Sequence, residues 1–289
     1  MKIFVVGSLN TDLVIETDRF PQAGETVYGK NFMANSGGKG ANQAFAAAKL
    51  GGDVYMCGVV GDDGFGKAHL ENLSGVGVNV GHIRKTKTSP TGTAIIVVNE
   101  GNNRIIIDGG ANTELCKDDI DAFFKEAESG DILLTQLENP IDIIGYALKS
   151  AREKGMVTVL NPAPANTAII PYLKYADIVT PNETELELLG GKKELFGAGV
   201  SEIITTLGKN GFEIDDGKTS KRYPCIEVKV VDTTAAGDTL CGGLVLGLSE
   251  GKTLEESCIF GSRAASIACS RYGASKSVPT REEVENFKK

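Results

Sequence analysis

The most informative segment of the chain is residues 232–238, Asp-Thr-Thr-Ala-Ala-Gly-Asp, which runs directly into the apolar stretch 240–246. This pattern is typical of a loop that opens a buried helix. Backbone N–H groups of small residues at a helix N-terminus attract phosphate oxygens, and the helix dipole adds to that attraction. Asp238 would project into the same pocket. A carboxylate beside a phosphate-binding turn indicates phosphoryl transfer, although Asp and Thr also precede helices simply as caps.

A second segment, residues 36–43, reads Ser-Gly-Gly-Lys-Gly-Ala-Asn-Gln and precedes a small-residue helix predicted over 44–50. Glycines before such a helix supply a second polar wall to a cleft. Either segment alone would be explained by capping and close helix packing. Their occurrence together favours a binding site between two helix N-termini.

Composition narrows the classes of function. The 289 residues are 41% hydrophobic and 24% charged, which predicts one globular domain, 1–289, with a small appendage. A net charge of −8 and the lack of a Lys/Arg cluster argue against nucleic acid and anionic membranes as partners. The six cysteines form no C-x-x-C pair, which disfavours a zinc cage or a disulfide framework and predicts reduced thiols. The apolar run at 3–6 is too short for a signal peptide, so we expect a cytoplasmic protein.

Strand-like runs alternate with helical ones for most of the chain. They lie at 3–6, 54–60, 132–135, 157–160, 178–179 and 203–206, and the segment 140–154 has apolar residues at helical spacing. This alternation predicts an α/β fold, a doubly wound and mainly parallel sheet with helices on both faces. Residues 12–35 and 91–108 break the rhythm. We interpret them as a small antiparallel β-lid, with a turn at 99–103.

Residues 61–68 have the spacing of a phosphate-binding loop but not its chemistry. Ala68 stands where a Ser or Thr hydroxyl would hold magnesium, and Asp62 and Asp63 would repel phosphate. We therefore predict a turn followed by a helix N-terminus, where these carboxylates favour the helix dipole.

Several motifs, in a fixed order along the whole chain, resemble those of the ribokinase and minor-phosphofructokinase family of sugar kinases. They are residues 7–12 (Gly-Ser-Leu-Asn-Thr-Asp), Gly37-Gly38, 160–164 (Leu-Asn-Pro-Ala-Pro), 180–185 (Thr-Pro-Asn-Glu-Thr-Glu), 206–208 (Thr-Leu-Gly) and the Asp238 loop. The resemblance implies ATP-dependent phosphorylation of D-ribose at its 5-hydroxyl. It also implies a homodimer that forms through the β-lid.

The resemblance assigns seven residues to the sugar: Asn10, Asp12, Gly38, Lys39, Asn42, Glu138 and Asp238. Carboxylate and amide groups suit adjacent sugar hydroxyls, and strand ends are where ligands of parallel sheets bind. Taken from the residues alone, positions 10–12 could instead be turn chemistry, and Glu138 could be an acid at a helix N-terminus.

For the nucleotide, the resemblance implies seven further positions: Asn182, Glu185, Thr206, Gly208, Gly211, Gly237 and Ser262. The Asn182 and Glu185 pair would organise Mg²⁺ and phosphate. The same spacing fits a capping box, and residues 206–211 also fit a glycine-containing hairpin turn. Both interpretations are compatible with nucleotide binding.

Asp238 is then expected to act as the base, and the amides of Ala235, Ala236 and Gly237 to receive negative charge from the transferring phosphoryl group. The resemblance also implies a K⁺ site beside this turn, formed by Asp232, Thr234, Ala268, Arg271, Gly273 and Ser277. The alternative for Asp232 is a cap or an ion pair with Arg271.

The chain departs from the family pattern at three places. Ala235 stands where many members have Gly, Ser262 stands where bacterial ribokinases often have His or Asn, and the segment between Glu185 and Ser201 is short. The competing functions are a kinase for another pentose, deoxyribose or a nucleoside, and a catalytically silent sugar-binding protein. A dinucleotide dehydrogenase is disfavoured because no G-x-G-x-x-G follows the first strand.

Overall fold

Two β-sheets organise the protein, for which the computed structural model describes residues 1–100 and 102–287. The strands are β1 (Ile3–Val6), β2 (Asn10–Thr17), β3 (Gly29–Gly37), β4 (Val54–Gly61), β5 (Asn79–Thr86), β6 (Gly92–Asn99), β7 (Asn102–Asp108), β8 (Ile132–Thr135), β9 (Val157–Leu160), β10 (Ile178–Val179), β11 (Glu202–Thr206), β12 (Phe212–Asp215) and β13 (Ser220–Tyr223). The main sheet has the order β13-β12-β11-β10-β9-β8-β1-β4-β5. Its strands run parallel from β11 to β5, and β12 and β13 add an antiparallel edge.

The helices cover both faces of the main sheet, which confirms the predicted doubly wound fold. They are α1 (Lys39–Lys49), α2 (Gly64–Ser74), α3 (Lys117–Phe123), α4 (Ile141–Glu153), α5 (Glu183–Leu188), α6 (Gly191–Gly197), α7 (Ala236–Ser249), α8 (Leu254–Cys269) and α9 (Arg281–Asn286). Side chains of β1 alternate between two cores: Ile3 and Val5 pack with α1 and α7, and Phe4 and Val6 pack with α3 and α4. Because both faces are buried, the central strands are continuous apolar runs.

The helices α1 and α7 pack very closely, since a Cβ atom on Gly242 would lie 2.7 Å from the Cβ of Ala46. A glycine at this point therefore lets the two helix N-termini approach each other at one edge of the main sheet.

A smaller sheet with the order β3-β2-β6-β7 stands apart from the main sheet. The consecutive strands β2 and β3, and β6 and β7, pair antiparallel as predicted, whereas the central pair β2 and β6 runs parallel. Strands β2 and β6 belong to different hairpins, so no tight turn imposes an antiparallel direction on them. Residue 101, in the predicted turn 99–103, lies outside the described residues.

The segment that resembles a phosphate-binding loop is a helix start, as predicted. Asp63 caps α2 by accepting from the Gly66 amide at 2.8 Å. The same carboxylate accepts from the Thr91 amide and hydroxyl, each at 2.8 Å, and so ties α2 to the beginning of β6. Its hydrogen bonds are thus satisfied inside the protein.

All six cysteines are free thiols within the described part of the chain, and Cys57, Cys241 and Cys258 are buried. Among the described residues, none of the helices has the length and apolar character needed to cross a membrane.

Candidate active site

The carboxyl ends of the parallel strands bring the sequence motifs to one edge of the main sheet. Residues 7–10 follow β1, residues 136–138 follow β8, and Asn161 follows β9. The N-termini of α1 and α7 point to the same place. This convergence builds a single polar site from segments that are far apart in the sequence.

Glu138 is held by several donors through one oxygen. Its Oε2 accepts from the Ser8 hydroxyl at 2.5 Å, the Lys39 amide at 2.9 Å and, more weakly, the Asn10 side-chain amide at 3.5 Å. Within the part of the chain that the structure describes, its Oε1 accepts no hydrogen bond. Ser8 is fully buried, so it orients Glu138 from behind, a role that the sequence alone did not indicate.

The amide group of Asn10 has a fixed orientation. Its Oδ1 accepts from Asn112 Nδ2 at 2.8 Å, so its Nδ2 faces Glu138. Asn112 is itself locked by two bonds with the backbone of Leu9, at 2.9 and 3.1 Å. The sequence contains no signal for Asn112, because it lies 102 positions from Asn10. Only the tertiary structure brings the two side chains together.

Gly38 is required at the turn before α1. It has φ 85°, and a Cβ atom there would lie 2.6 Å from the Asn10 amide nitrogen. Glycine adopts this left-handed conformation without strain, so the turn can lie directly against the end of β1. That contact places the Lys39 amide against Glu138.

Three carboxylates, those of Asp12, Glu138 and Asp238, lie near one another at this end of the site. Burial, with the nearby charges of Glu138 and Asp238, raises the pKa of Asp12 from 3.8 to about 6. A carboxyl with this pKa changes charge close to neutral pH, so the protonation state of Asp12 is sensitive to whatever binds beside it.

Asp238 lies in the first turn of α7 and is 8% exposed. Its Oδ2 accepts from Asn42 Nδ2 at 3.1 Å, and its Oδ1 accepts from Gln43 Nε2 at 2.9 Å. Burial raises the pKa of Asp238, while Lys39, Gln43 and Asn42 act in the opposite direction. A buried carboxylate held by two neutral amide donors can act as a general base.

The turn before α7 exposes backbone donors. Ala235 caps the helix in a left-handed conformation with φ 58°, which costs a non-glycine residue about 1 kcal/mol. The Ala236 amide donates to the Thr233 carbonyl at 3.2 Å. Within the described residues, the amides of Gly237 and Asp238 have no internal acceptor, so they are available to an anion.

A cavity of about 240 Å³ joins this turn to Asp238. Its lining consists of Lys39, Asn161, Ala163, Thr180, Asn182, Glu185, Thr206, Thr233, Ala235, Ala236, Gly237, Asp238 and Cys241. Eight of these are predicted site residues. Asn161 and Thr180, to which the sequence assigned no role, belong to the same cavity.

Asn182 and Glu185 form the predicted capping box of α5. The Glu185 amide donates to Asn182 Oδ1 at 2.8 Å, and the Asn182 amide donates to Glu185 Oε2 at 2.9 Å. Burial raises the pKa of Glu185, with Asp238 adding to this effect, whereas the Asn182 amide and Lys39 counteract it. Among the residues that the structure describes, none bonds to its second carboxylate oxygen, so the capping box leaves that oxygen available.

Three other predicted nucleotide residues, Gly208, Gly211 and Ser262, are not among the residues that line this cavity. Gly208 and Gly211 belong to the hairpin turn between β11 and β12, where Leu207 donates to the Gly211 carbonyl at 2.8 Å. Gly211 has φ 91°, and a side chain there would collide with the Tyr223 carbonyl. Ser262 is buried in α8 and does not line the cavity.

Asp232 connects the loops at the start of α7 and the end of α8. One oxygen accepts from the Thr234 amide at 2.9 Å, and the other accepts from the Gly273 amide at 3.0 Å. Burial opposes ionisation of Asp232, but these hydrogen bonds hold its pKa below the usual value. The alternative pairing with Arg271 is wrong, because Arg271 pairs with Glu283 at 2.6 Å.

Ala268 and Ser277, the remaining residues of the predicted cation site, are nearly fully buried close to these loops in the chain. The Ala268 carbonyl accepts from the Arg271 amide at 3.0 Å, and the Ser277 hydroxyl donates to the Ala274 carbonyl at 2.8 Å. Hard oxygen atoms are therefore present at the end of α8, on Ala268, and in the segment that follows it, on Ser277.

The chain is similar to known carbohydrate kinases over nearly its whole length. The sequence profile described as pfkB family carbohydrate kinase matches residues 1–281. The chain is 38% identical over 288 residues to a ribokinase of Bacillus subtilis, covering 99% of this chain and 98% of that protein.

Solved structures extend the similarity to the fold. A ribokinase of Thermotoga maritima superposes with a TM-score of 0.87 at 37% identity, covering 99% of this chain and 98% of the other. Arabidopsis thaliana ribokinase complexed with ribose and ATP superposes with a TM-score of 0.88 at 33% identity, covering 99% of each chain. The chain therefore belongs to the pfkB family of carbohydrate kinases.

Proposed function

We propose that this chain transfers the γ-phosphoryl group of ATP to the 5-hydroxyl of D-ribose. The observation that carries the proposal is the position of Asp238. It is bonded to Asn42 at the end that holds Glu138 and Asn10, and it begins the helix whose free amides face the cavity. A base between a hydroxyl-binding end and an anion-binding end is the arrangement that in-line phosphoryl transfer requires.

In this mechanism Asp12, Asn10 and Glu138 bind the sugar hydroxyls and align the 5-hydroxyl with ATP. As the sugar oxygen forms a bond to the γ-phosphorus, its proton passes to Asp238. The bond from that phosphorus to the β,γ-bridging oxygen breaks, and ADP leaves. The free amides of Gly237 and Asp238 stabilise the negative charge that spreads over the transferring oxygens.

The residues present fit two cations. The free oxygen of Glu185, with Asn182 beside it, is the hard donor that Mg²⁺ prefers, and Mg²⁺ would neutralise phosphate charge. The Asp232 carboxylate, which connects two loops beside the α7 turn, suits K⁺. Replacing K⁺ by a large organic cation at constant ionic strength is expected to lower kcat, and an unchanged kcat would exclude this site.

The smaller sheet is proposed to act as a lid, formed by residues 12–35 and 91–108 of a single kinase domain. One of its faces carries Asp12 toward the sugar, and closure would exclude the water that hydrolyses ATP. Its opposite face has an apolar row, Leu13, Ile95 and Ile106, aligned by strand register. Ile95 and Ile106 are 47% and 70% exposed, which supports a homodimer through this face.

The six cysteines of the described chain are free thiols, as expected in a reducing compartment, which supports a cytoplasmic location.

The test is ADP formation in the presence of Mg²⁺ and K⁺, measured with a panel of pentoses, hexoses and nucleosides. We expect ribose to give the highest kcat/KM. A preference for deoxyribose or a nucleoside would reassign the substrate. Binding of ribose without ADP formation would instead make the chain a silent sugar-binding protein.

A further inference from the structure

We infer that Gln43 is a positioning residue for the base: its side-chain amide holds Oδ1 of Asp238 and leaves Oδ2 to take the proton of the sugar hydroxyl. The inference rests on the proposed role of Asp238. It concerns a buried chain of amides, Gln136, Gln43 and Asn161, which we term the amide relay.

Two of the three members of the amide relay are completely internal. Gln43 and Gln136 are 0% and 1% exposed, so neither can contact the sugar or ATP directly. Gln43 Nε2 donates to Asp238 Oδ1 at 2.9 Å and to Asn161 Oδ1 at 3.0 Å. Gln43 Oε1 accepts from Gln136 Nε2 at 2.6 Å. All hydrogen-bonding groups of the Gln43 side chain are therefore used, and one of them faces the base.

A backbone carbonyl determines which way the amide relay points. Asn161 Nδ2 donates to the carbonyl oxygen of Thr180 at 2.9 Å, and a carbonyl can only accept. Asn161 must therefore turn its oxygen toward Gln43. Gln43 must in turn present its N–H groups to Asn161 and Asp238, and its oxygen to Gln136. A flipped Gln43 would place an oxygen against two oxygens, so the donor at Asp238 is fixed.

This fixed donor distinguishes the two oxygens of Asp238. Oδ1 is bonded to a residue that cannot leave, whereas Oδ2 is bonded to Asn42, which is only partly buried and belongs to the sugar end. A sugar hydroxyl can approach Oδ2 alone. The amide relay also gives a role to Asn161 and to the Thr180 carbonyl, to which the sequence assigned none.

The ionised form of Asp238 is the one that the relay favours. The charged groups that face Asp238 are Lys39 of α1, Glu138 after β8, Asp12 of β2 and Glu185 of α5, with the buried Cys241 thiol on α7. Three of the four charges are negative, so neutral donors are needed to keep the carboxylate ionised. Loss of one donor raises the pKa of Asp238.

The test is the substitution Gln43→Met, which keeps the length of the side chain and removes its N–H groups. We expect kcat to fall about 10- to 100-fold, as for loss of a hydrogen bond to a charged group, with the KM for the sugar within about twofold. The acidic limb of the kcat–pH profile should move upward by about one pH unit. Gln136→Met should move it in the same direction by less, because Gln43 keeps its bonds to Asp238 and Asn161.

Thr135→Val is the matched control, since Thr135 is fully buried beside Gln136 and its hydroxyl has no partner among the described residues. It should change neither kcat nor the pH profile. All variants are assayed with the sugar that the panel identifies for the unmodified protein, so the proposed function can fail separately. An unmoved acidic limb in folded Gln43→Met overturns the inference. If Gln43→Met does not fold, an acidic limb that stays in place in Gln136→Met overturns the inference instead.

Discussion

Strands β1 and β7 are alike in sequence and opposite in environment. Residues 3–6 of β1, Ile-Phe-Val-Val, are all buried in the middle of the main sheet. Residues 105–107 of β7, Ile-Ile-Ile, lie at the edge of the small sheet and are 50%, 70% and 56% exposed. The sequence of each segment predicts a strand, but only residues 3–6 of β1 form part of a core.

This difference separates two roles. The main sheet is closed on both faces, so it can hold Asp238 and Glu138 rigidly at its edge. The small sheet keeps apolar surface exposed, which suits a part that must close over substrate or pack against another copy. We therefore expect changes at the edge of the main sheet to affect the rate, and changes in the small sheet to affect affinity and assembly.

The largest effect is expected at Asp238. Asp238→Asn removes the base and should lower kcat by about 10²–10⁴-fold with the dissociation constant for ribose largely unchanged. Steady-state kinetics and calorimetric titration with ribose measure the two quantities. Asp131→Asn is the control, because Asp131 is also buried and accepts two backbone amides, from Lys2 and Glu128, before β8. Near-normal turnover of Asp238→Asn would remove it from this role.

The next effect concerns Asn10, where the two sheets meet. If its fixed amide reads the 2-hydroxyl of the sugar, 2-deoxyribose should lose roughly 10- to 100-fold in kcat/KM, the cost of leaving a buried polar group unpaired. Asn10→Met should reduce the difference between the sugars mainly by weakening ribose. Equal efficiencies for both sugars in the unmodified protein would contradict this reading.

A smaller effect follows from Asp12 in the small sheet. Ionised Asp12 accepts from sugar hydroxyls, and its pKa is about 6, so the KM for ribose should rise about tenfold between pH 7 and pH 5. Asp12→Asn should flatten this pH dependence of KM. Since the raised pKa favours the protonated folded state, the contribution of Asp12 to stability falls as pH rises from about 4 to about 6. A KM that does not vary with pH in the unmodified protein would be inconsistent with this assignment.

The smallest catalytic effect is expected on the outer face of the lid. Ile106→Asp places a charge in the proposed dimer contact and should give monomers by light scattering, with the ribose KM raised a few-fold and kcat nearly unchanged. Ile259→Asp, at an exposed isoleucine of α8, is the matched control. A dimer that survives Ile106→Asp would show that this face is not the interface.

Local sequence signals were sufficient for much of the architecture. The strands at 3–6, 132–135, 157–160 and 178–179 lie where the apolar runs predict them, and the capping signals of α2 and α5 are realised. The glycine turn before α1 and the small-residue turn before α7 could be identified for the same reason. Backbone preferences and helix capping act over a few residues, so a linear reading detects them.

Contacts between residues that are far apart in the sequence could not be predicted from these local signals. Strands β2 and β6 run parallel because two hairpins meet, and nothing within either hairpin specifies this direction. Residues that orient others, such as Ser8, Asn112 and Gln43, have ordinary side chains and become informative only beside their partners.

The sequence by itself therefore determined the family of folds and the two helix N-termini and predicted Asp238 as the base, since each of these signals is encoded in a short run of residues. Only the tertiary structure decided which oxygen of Asp238 is bonded to Gln43 and which apolar strand stays exposed. Asp238 lies 195 positions from Gln43, and the hydrogen bond between them depends on α1 and α7 packing together. Such a contact is set by the geometry of the whole sheet, because direction and distance between remote side chains exist only after the chain has folded.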